Sequence, residues 1–177
     1  MRSSRHTYRA TYIGSAAARH RDGFSKKPML DTIYNQRILE LAGNIPRQGR
    51  LDAPQASARA HSKLCGSTII VDLAMRDGRV VDFAQDVKAC ALGQAAASIM
   101  GRHVIGSTAA ELRSLRDRVH AMLKENGPPP EGAWADISVL EPVRDFKARH
   151  ASTMLAFEAT VDAVNQIEAK QAVNASA

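Results

Sequence analysis

The stretch STIIVDLAMRDGRVVDFAQDV, residues 67–87, decides the fold. Ile69, Val71, Leu73 and Met75 alternate with Ile70, Asp72 and Ala74, which is the period of a strand with one face on a core. Arg76-Asp77-Gly78-Arg79 then reverses the chain, because a two-residue hairpin turn needs positive φ and the Asp-Gly pair tolerates it. VVDFAQDV returns as the partner strand. Upstream, ARAHSKL at residues 58–64 reads as one more strand, so the spacing predicts a small three-stranded antiparallel sheet.

Helices flank this sheet on both sides in sequence. Over residues 30–43, Tyr34, Ile38, Leu41 and Ala42 recur at helical spacing, with Asp31 placed to cap the start and Gly43 to close the end. Residues 44–54 are polar with two prolines and read as a loop. Beyond the hairpin, VKACALGQAAAS at residues 87–98 passes from strand-like to small helix-forming residues, and Cys90 sits at that junction. Thr108 and Glu111 stand in capping-box spacing ahead of the apolar stripe Leu112, Leu115, Val119, Met122 and Leu123. Asn126-Gly127 and three prolines end that helix. After a loop containing Trp134, a long last helix is expected from about Pro142 to Lys170, burying Val143, Phe146, His150, Met154, Phe157, Val161 and Val164. Strands first and helices later make this an α+β domain, with helices on one face of the sheet.

Charge is distributed unevenly. The chain has 177 residues and a formal charge of +6. Residues 1–28 hold seven basic residues against one acidic, leaving 17 of each sign over residues 29–177. A neutral body with 5% aromatic residues gives no footprint for nucleic acid, and no apolar run reaches the length of a membrane-spanning helix. The basic segment 1–28 reads as a disordered extension: translated sequence ahead of a start at Met29, a targeting segment, or a basic arm. Residues 29–171 form the domain and 172–177 a flexible tail. The two cysteines show no disulfide pattern and fit a reducing compartment. The expected location is the cytoplasm, or the mitochondrial matrix if the extension is a targeting segment.

Four residues carry potential chemistry. Cys65 and Cys90 stand near the two ends of one hairpin, a position that brings them close because a hairpin returns to its starting edge. A cysteine at a helix N-terminus tends toward thiolate, whereas an isolated buried one is a small hydrophobe. His150, on an apolar helix face, is either a hydrogen-bonded core residue or a ligand. Ser67 is equally a turn residue, and no acid-base partner in the sequence makes it a nucleophile. Hydrolase or oxidoreductase activity has no motif behind it.

Taken in order, YNQRIL, LCGS with its alternating strand and DG hairpin, KACALGQAAASIM, and RHAST opening a long helix resemble the U-type iron–sulfur cluster assembly scaffolds, the IscU, SufU and NifU N-terminal family. The resemblance covers nearly all of residues 29–170, and the long stretch between Cys90 and RHAST is similar to the SufU branch. It implies that three cysteines, with an aspartate or histidine, hold a nascent [2Fe-2S] cluster or a zinc ion at one exposed end of the domain. Cys65 and Cys90 match the first two cysteines. Ala151 stands where the third would be, and Ser67 where the family has aspartate.

The function so implied is that of a scaffold or carrier, not an enzyme. It would bind iron or a [2Fe-2S] cluster through Cys65 and Cys90, with His150 and Ser67 as further candidate ligands. Thiolates suit such metals well, imidazole adequately, serine poorly and alanine not at all. Cys90 or Cys65 would accept persulfide sulfur from a cysteine desulfurase, and acceptor apoproteins would receive the cluster. Two chains could contribute four thiolates to one bridging cluster. The alternatives are a degenerate scaffold kept as a protein-binding module, and a zinc-containing partner that accepts persulfide.

Overall fold

The computed structural model describes residues 33–176. The extension 1–28 and the Asp31 cap lie outside the described residues. The first helix, α1, spans Gln36–Gly43 and starts at Asn35, whose Oδ1 accepts the Ile38 N–H at 3.0 Å. That cap satisfies one of the donors a helix start leaves open. Ile38 and Leu41 are buried.

Three strands follow: β1 at Ala56–His61, β2 at Thr68–Arg76 and β3 at Arg79–Lys88. They form one antiparallel sheet in the order β1-β2-β3. Asp77 and Gly78 take φ of 51° and 74°, the positive values expected of the hairpin turn. Ile69, Val71, Leu73 and Met75 are all buried. The first strand lies earlier than ARAHSKL suggests, because residues 62–67 close into a turn held by Ser62 N–H to Ser67 O and Gly66 N–H to Ser62 O, each 2.9 Å.

The loop over residues 44–54 is firmly built. Gln85 N–H donates to Arg47 O and Gly49 N–H to Gln85 O, both at 2.9 Å, so the loop pairs with the edge of β3. Arg50 donates from Nε and Nη2 to Asp72 at 2.6 and 2.9 Å, while Ser57 Oγ and Leu51 N–H donate to the same carboxylate at 2.5 and 3.0 Å. Asp72 is therefore fully buried on the face opposite Val71 and Leu73. Burial opposes its ionisation, but the hydrogen bonds from Arg50, Ser57 and Leu51 outweigh that and hold its carboxyl below the usual range.

The remaining helices cover the sheet. Helix α2, Ala91–His103, packs on β3 and α1, and α3, Ala109–Lys124, packs on the last helix. Thr108 and Glu111 form the expected capping box, with Glu111 N–H donating to Thr108 Oγ1 and Thr108 N–H to Glu111 Oε2. Where a loop and the start of the last helix were expected, residues Gly132–Asp145 form a 3₁₀ segment that contains Pro142. Helix α4 accordingly starts later, at Lys147, and ends later, at Ala175, taking in residues assigned to the tail. Phe146, at φ −118° and ψ 71°, breaks the helical path between the two. Val143 thus belongs to the 3₁₀ segment, while His150, Met154, Phe157, Val161 and Val164 are buried on α4 as expected.

Helix α4 is buried far beyond one stripe, because it packs against β1, β2, α2 and α3 together. Ser152, Thr153 and Thr160 are among its buried residues, and each donates its hydroxyl to a backbone carbonyl one turn back: Arg149 O for the first two and Ala156 O for the third. Small side chains at these positions allow neighbouring elements to approach closely, and the back-bonds leave no polar atom unpaired.

Candidate functional site

The site lies where three segments meet at one end of the sheet. Thr68 pairs with Lys88 at the end of the β2–β3 ladder, so Ser67 and Cys65 on the β1–β2 loop lie beside the residues that follow β3. The first of those at a helix start is Cys90, the N-cap of α2. Its backbone N–H donates to Ser67 Oγ at 3.4 Å. The third segment is the N-terminal part of α4, which brings in Ser152.

Gly66 makes the loop geometry possible. It takes φ of +71°, a left-handed value that glycine adopts without a Cβ penalty, immediately after Cys65. Gly93 does the same for the helices by another route. A Cβ there would meet Ala89 Cβ at 2.8 Å and Ser152 O at 3.0 Å, so only glycine lets α2 approach α4 closely enough to bring Cys90 to Ser152.

Three buried serines surround the two sulfurs. The Cys65 thiol donates to Ser67 Oγ at 3.0 Å and reaches Ser62 Oγ at 3.4 Å. The Cys90 thiol donates to Ser152 Oγ at 3.4 Å, and that hydroxyl donates onward to Arg149 O at 3.0 Å. When Cys65 ionises, these hydroxyls can turn and donate to the thiolate. The Ser62 hydroxyl, then that of Ser67, outweigh burial and hold the Cys65 thiol down at about 7, with smaller contributions from the Ser67 backbone and the Ser152 hydroxyl. About half of Cys65 is then thiolate at neutral pH, the form that attacks sulfur and binds soft metals. Cys65 is exposed and Cys90 half-buried, so both sulfurs are free thiols at the surface end of the domain.

The structure therefore brings Cys65, Cys90 and Ser67 together. Ser67 acts as a hydrogen-bonding hinge between the cysteines. His150, the other candidate ligand, is buried and donates from Nε2 to Val143 O at 3.1 Å and Arg144 O at 3.0 Å, tying the 3₁₀ segment to the start of α4. Ala151 is exposed beside it and offers no donor. Among the described residues no three His, Cys, Asp or Glu side chains converge as a metal site. Two sulfurs suit iron or zinc in kind, but they are half of a four-ligand set. Sequence reasoning missed Ser62 and Ser152. Ser152 lies within the RHAST segment already singled out, and its position one helical step past Ala151 was the available signal.

Comparison with known proteins bears on the same segments. Residues 33–153 match the family described as NifU-like N terminal domain. The chain is 27% identical over 136 residues to the iron–sulfur cluster assembly scaffold protein IscU of Thermotoga maritima, covering 76% of this chain and 94% of that relative. The crystal structure of a nitrogen-fixing NifU-like protein (N-terminal) from Brucella abortus is 63% identical, with a TM-score of 0.79, and the match covers 80% of this chain and 99% of that one. A putative iron–sulfur cluster assembly scaffold protein for the SUF system from Fervidobacterium islandicum shares the fold at 18% identity and a TM-score of 0.69, over 76% of this chain and 98% of that one.

Proposed function

The chain belongs to the NifU-like N-terminal domain family of iron–sulfur cluster assembly scaffolds, and from that premise we propose that Cys65 and Cys90 receive and hold the nascent cluster. The observation that carries this reading is the convergence of two free thiols, on one loop and one helix N-cap, at a single exposed end of the domain. Cys65 is the sulfur-accepting group. Its thiolate attacks the outer sulfur of a persulfide on a cysteine desulfurase, forming a Cys65 persulfide while the donor leaves as thiolate. An external two-electron donor then reduces the outer sulfur to sulfide and returns Cys65 to its thiolate; Cys90 serves with that thiolate as a ligand to iron, and acceptor apoproteins take the finished cluster.

The ligand count sets the stoichiometry. One chain provides two thiolates, and a [2Fe-2S] cluster requires four, so two chains share one cluster across their exposed ends. His150 and Ser67 support the site by position: one holds the start of α4, the other links the two cysteine segments. A mononuclear zinc site would lack two ligands within one chain.

Anaerobic reconstitution of the full chain with iron and sulfide tests this. The expected result is a visible-range chromophore, one [2Fe-2S] per two chains by iron, acid-labile sulfide and molecular mass, and loss of both in Cys65→Ala and Cys90→Ala. A chromophore indifferent to both substitutions, or none in wild type, would overturn it. Survival of desulfurase binding and biological activity in the double-cysteine variant would instead establish the chain as a binding module.

A further inference from the structure

The Cys65 end of the domain carries a second feature that sulfur acceptance from a protein does not use. Cys65 opens onto a cavity of about 490 Å³, within the size range of small-molecule sites. Ile33, Leu64 and Phe146 supply apolar walls, and Lys147 and Arg149 supply positive charge. No carboxylate lines it. Among the described residues neither Lys147 nor Arg149 takes part in a salt bridge, so both charges are available to a ligand. Lys63 precedes Leu64 on the same loop and is exposed. Leu64 is itself 77% exposed, which keeps the approach to Cys65 open.

A cavity with an exposed thiol at one side, apolar walls and unpaired cations at the rim matches a small sulfur compound bearing carboxylates. The second thiol is that of Cys90, whose backbone N–H shares Ser67 Oγ with the Cys65 thiol and whose own sulfur lies 3.4 Å from Ser152 Oγ. We propose that Cys65 is a site of thiol–disulfide exchange with a low-molecular-weight, carboxylate-bearing disulfide, held by Lys147 and Arg149, and that Cys90 resolves the resulting mixed disulfide.

The chemistry balances without a metal or a protein partner. The Cys65 sulfur attacks one sulfur of the small disulfide RSSR; the Cys65–SR bond forms as the RS–SR bond breaks, and one RS⁻ leaves with the electron pair and takes up the proton lost by Cys65. The Cys90 sulfur then attacks Cys65 Sγ, expelling the second RS⁻, which is protonated in turn. Two protein thiols have been oxidised to one disulfide and RSSR reduced to two RSH. In this state neither sulfur can ligate iron, so the reaction removes the site from use under oxidising conditions. The inference does not rest on the cluster-assembly reading, since it requires neither iron nor desulfurase.

Glutathione disulfide is the probe, with the full chain analysed by intact mass and peptide mapping. Wild type should end as an intramolecular Cys65–Cys90 disulfide, and Cys90→Ala should accumulate one glutathionyl group on Cys65. The Lys147→Gln, Arg149→Gln double variant should react about fivefold more slowly with glutathione disulfide. The same variant should react with the neutral bis(2-hydroxyethyl) disulfide at the wild-type rate, with thermal melting confirming its fold. An adduct on Cys90 in place of Cys65, wild type halting at the mixed disulfide, or equal slowing with both probes would each overturn the proposal. Cluster reconstitution of the reduced protein is measured alongside, so failure here is separable from failure of the scaffold reading.

Discussion

Ser67 Oγ lies 3.0 Å from the Cys65 sulfur and at the same time accepts the Cys90 backbone N–H at 3.4 Å. One hydroxyl thus ties the β1–β2 loop to the start of α2 and favours the Cys65 thiolate. Removing it in Ser67→Ala should raise the midpoint of Cys65 ionisation above its wild-type value of about 7. A rise of about one unit slows alkylation at pH 7 about fivefold, because only the thiolate reacts. The pH profile of iodoacetamide labelling, read on Cys65 by mass spectrometry, checks this. An unchanged midpoint would show that the Ser67 hydroxyl does not stabilise the thiolate.

His150 donates to two backbone carbonyls of the 3₁₀ segment from a buried position. His150→Ala should destabilise the domain by about 1–3 kcal/mol, the cost of leaving buried carbonyls unpaired. Iron and sulfide loading of the folded fraction should be unchanged. Denaturant unfolding and reconstitution on the same preparation separate the two effects, and loss of loading at full folding would restore His150 as a ligand.

Gly93 faces Ser152 O so closely that any Cβ must push α2 from α4. Gly93→Ala should therefore cost about 1–3 kcal/mol through overpacking, a larger effect than the usual gain in helix propensity. Because the displaced helix carries Cys90, the variant should also hold reconstituted cluster less well. Thermal melting together with the decay of the visible chromophore reads both.

The Asp72 carboxylate is buried and its ionisation is favoured in the folded state, so its contribution to stability is present above the unfolded carboxylate range near pH 3.9. It is lost as pH falls through the lower folded value. Asp72→Asn should be less stable at pH 7 and show a flatter decline between about pH 5 and pH 2. Urea midpoints across that range supply the comparison, and parallel curves would contradict it.

Much of the architecture was legible because its signals are local. The Asp77-Gly78 turn, the alternation through β2 and the Thr108–Glu111 capping box each depend on residues within a few positions of one another. Backbone sterics and short-range hydrogen bonds act at that range whatever the rest of the chain does. Pro142 was legible too, but not its consequence, since a proline is tolerated in the first turn of a helix and equally in a 3₁₀ run. The His150 bonds to Val143 and Arg144 and the conformation of Phe146 accompany the second outcome.

The site divides along the same line. By itself the sequence determined that two cysteines flank one hairpin, that Gly66 follows the first and a helix begins at the second, and that alanine occupies the third family position. Only tertiary structure decided that Ser152, 62 residues from Cys90, closes the site, that Asp72 is buried by Arg50, and that Lys147 and Arg149 border the cavity at Cys65. The physical reason is range. A hydroxyl or a charge acts on a sulfur across a few ångströms of space, and which residues occupy that space is set by how α2 and α4 pack, a contact that no local pattern encodes.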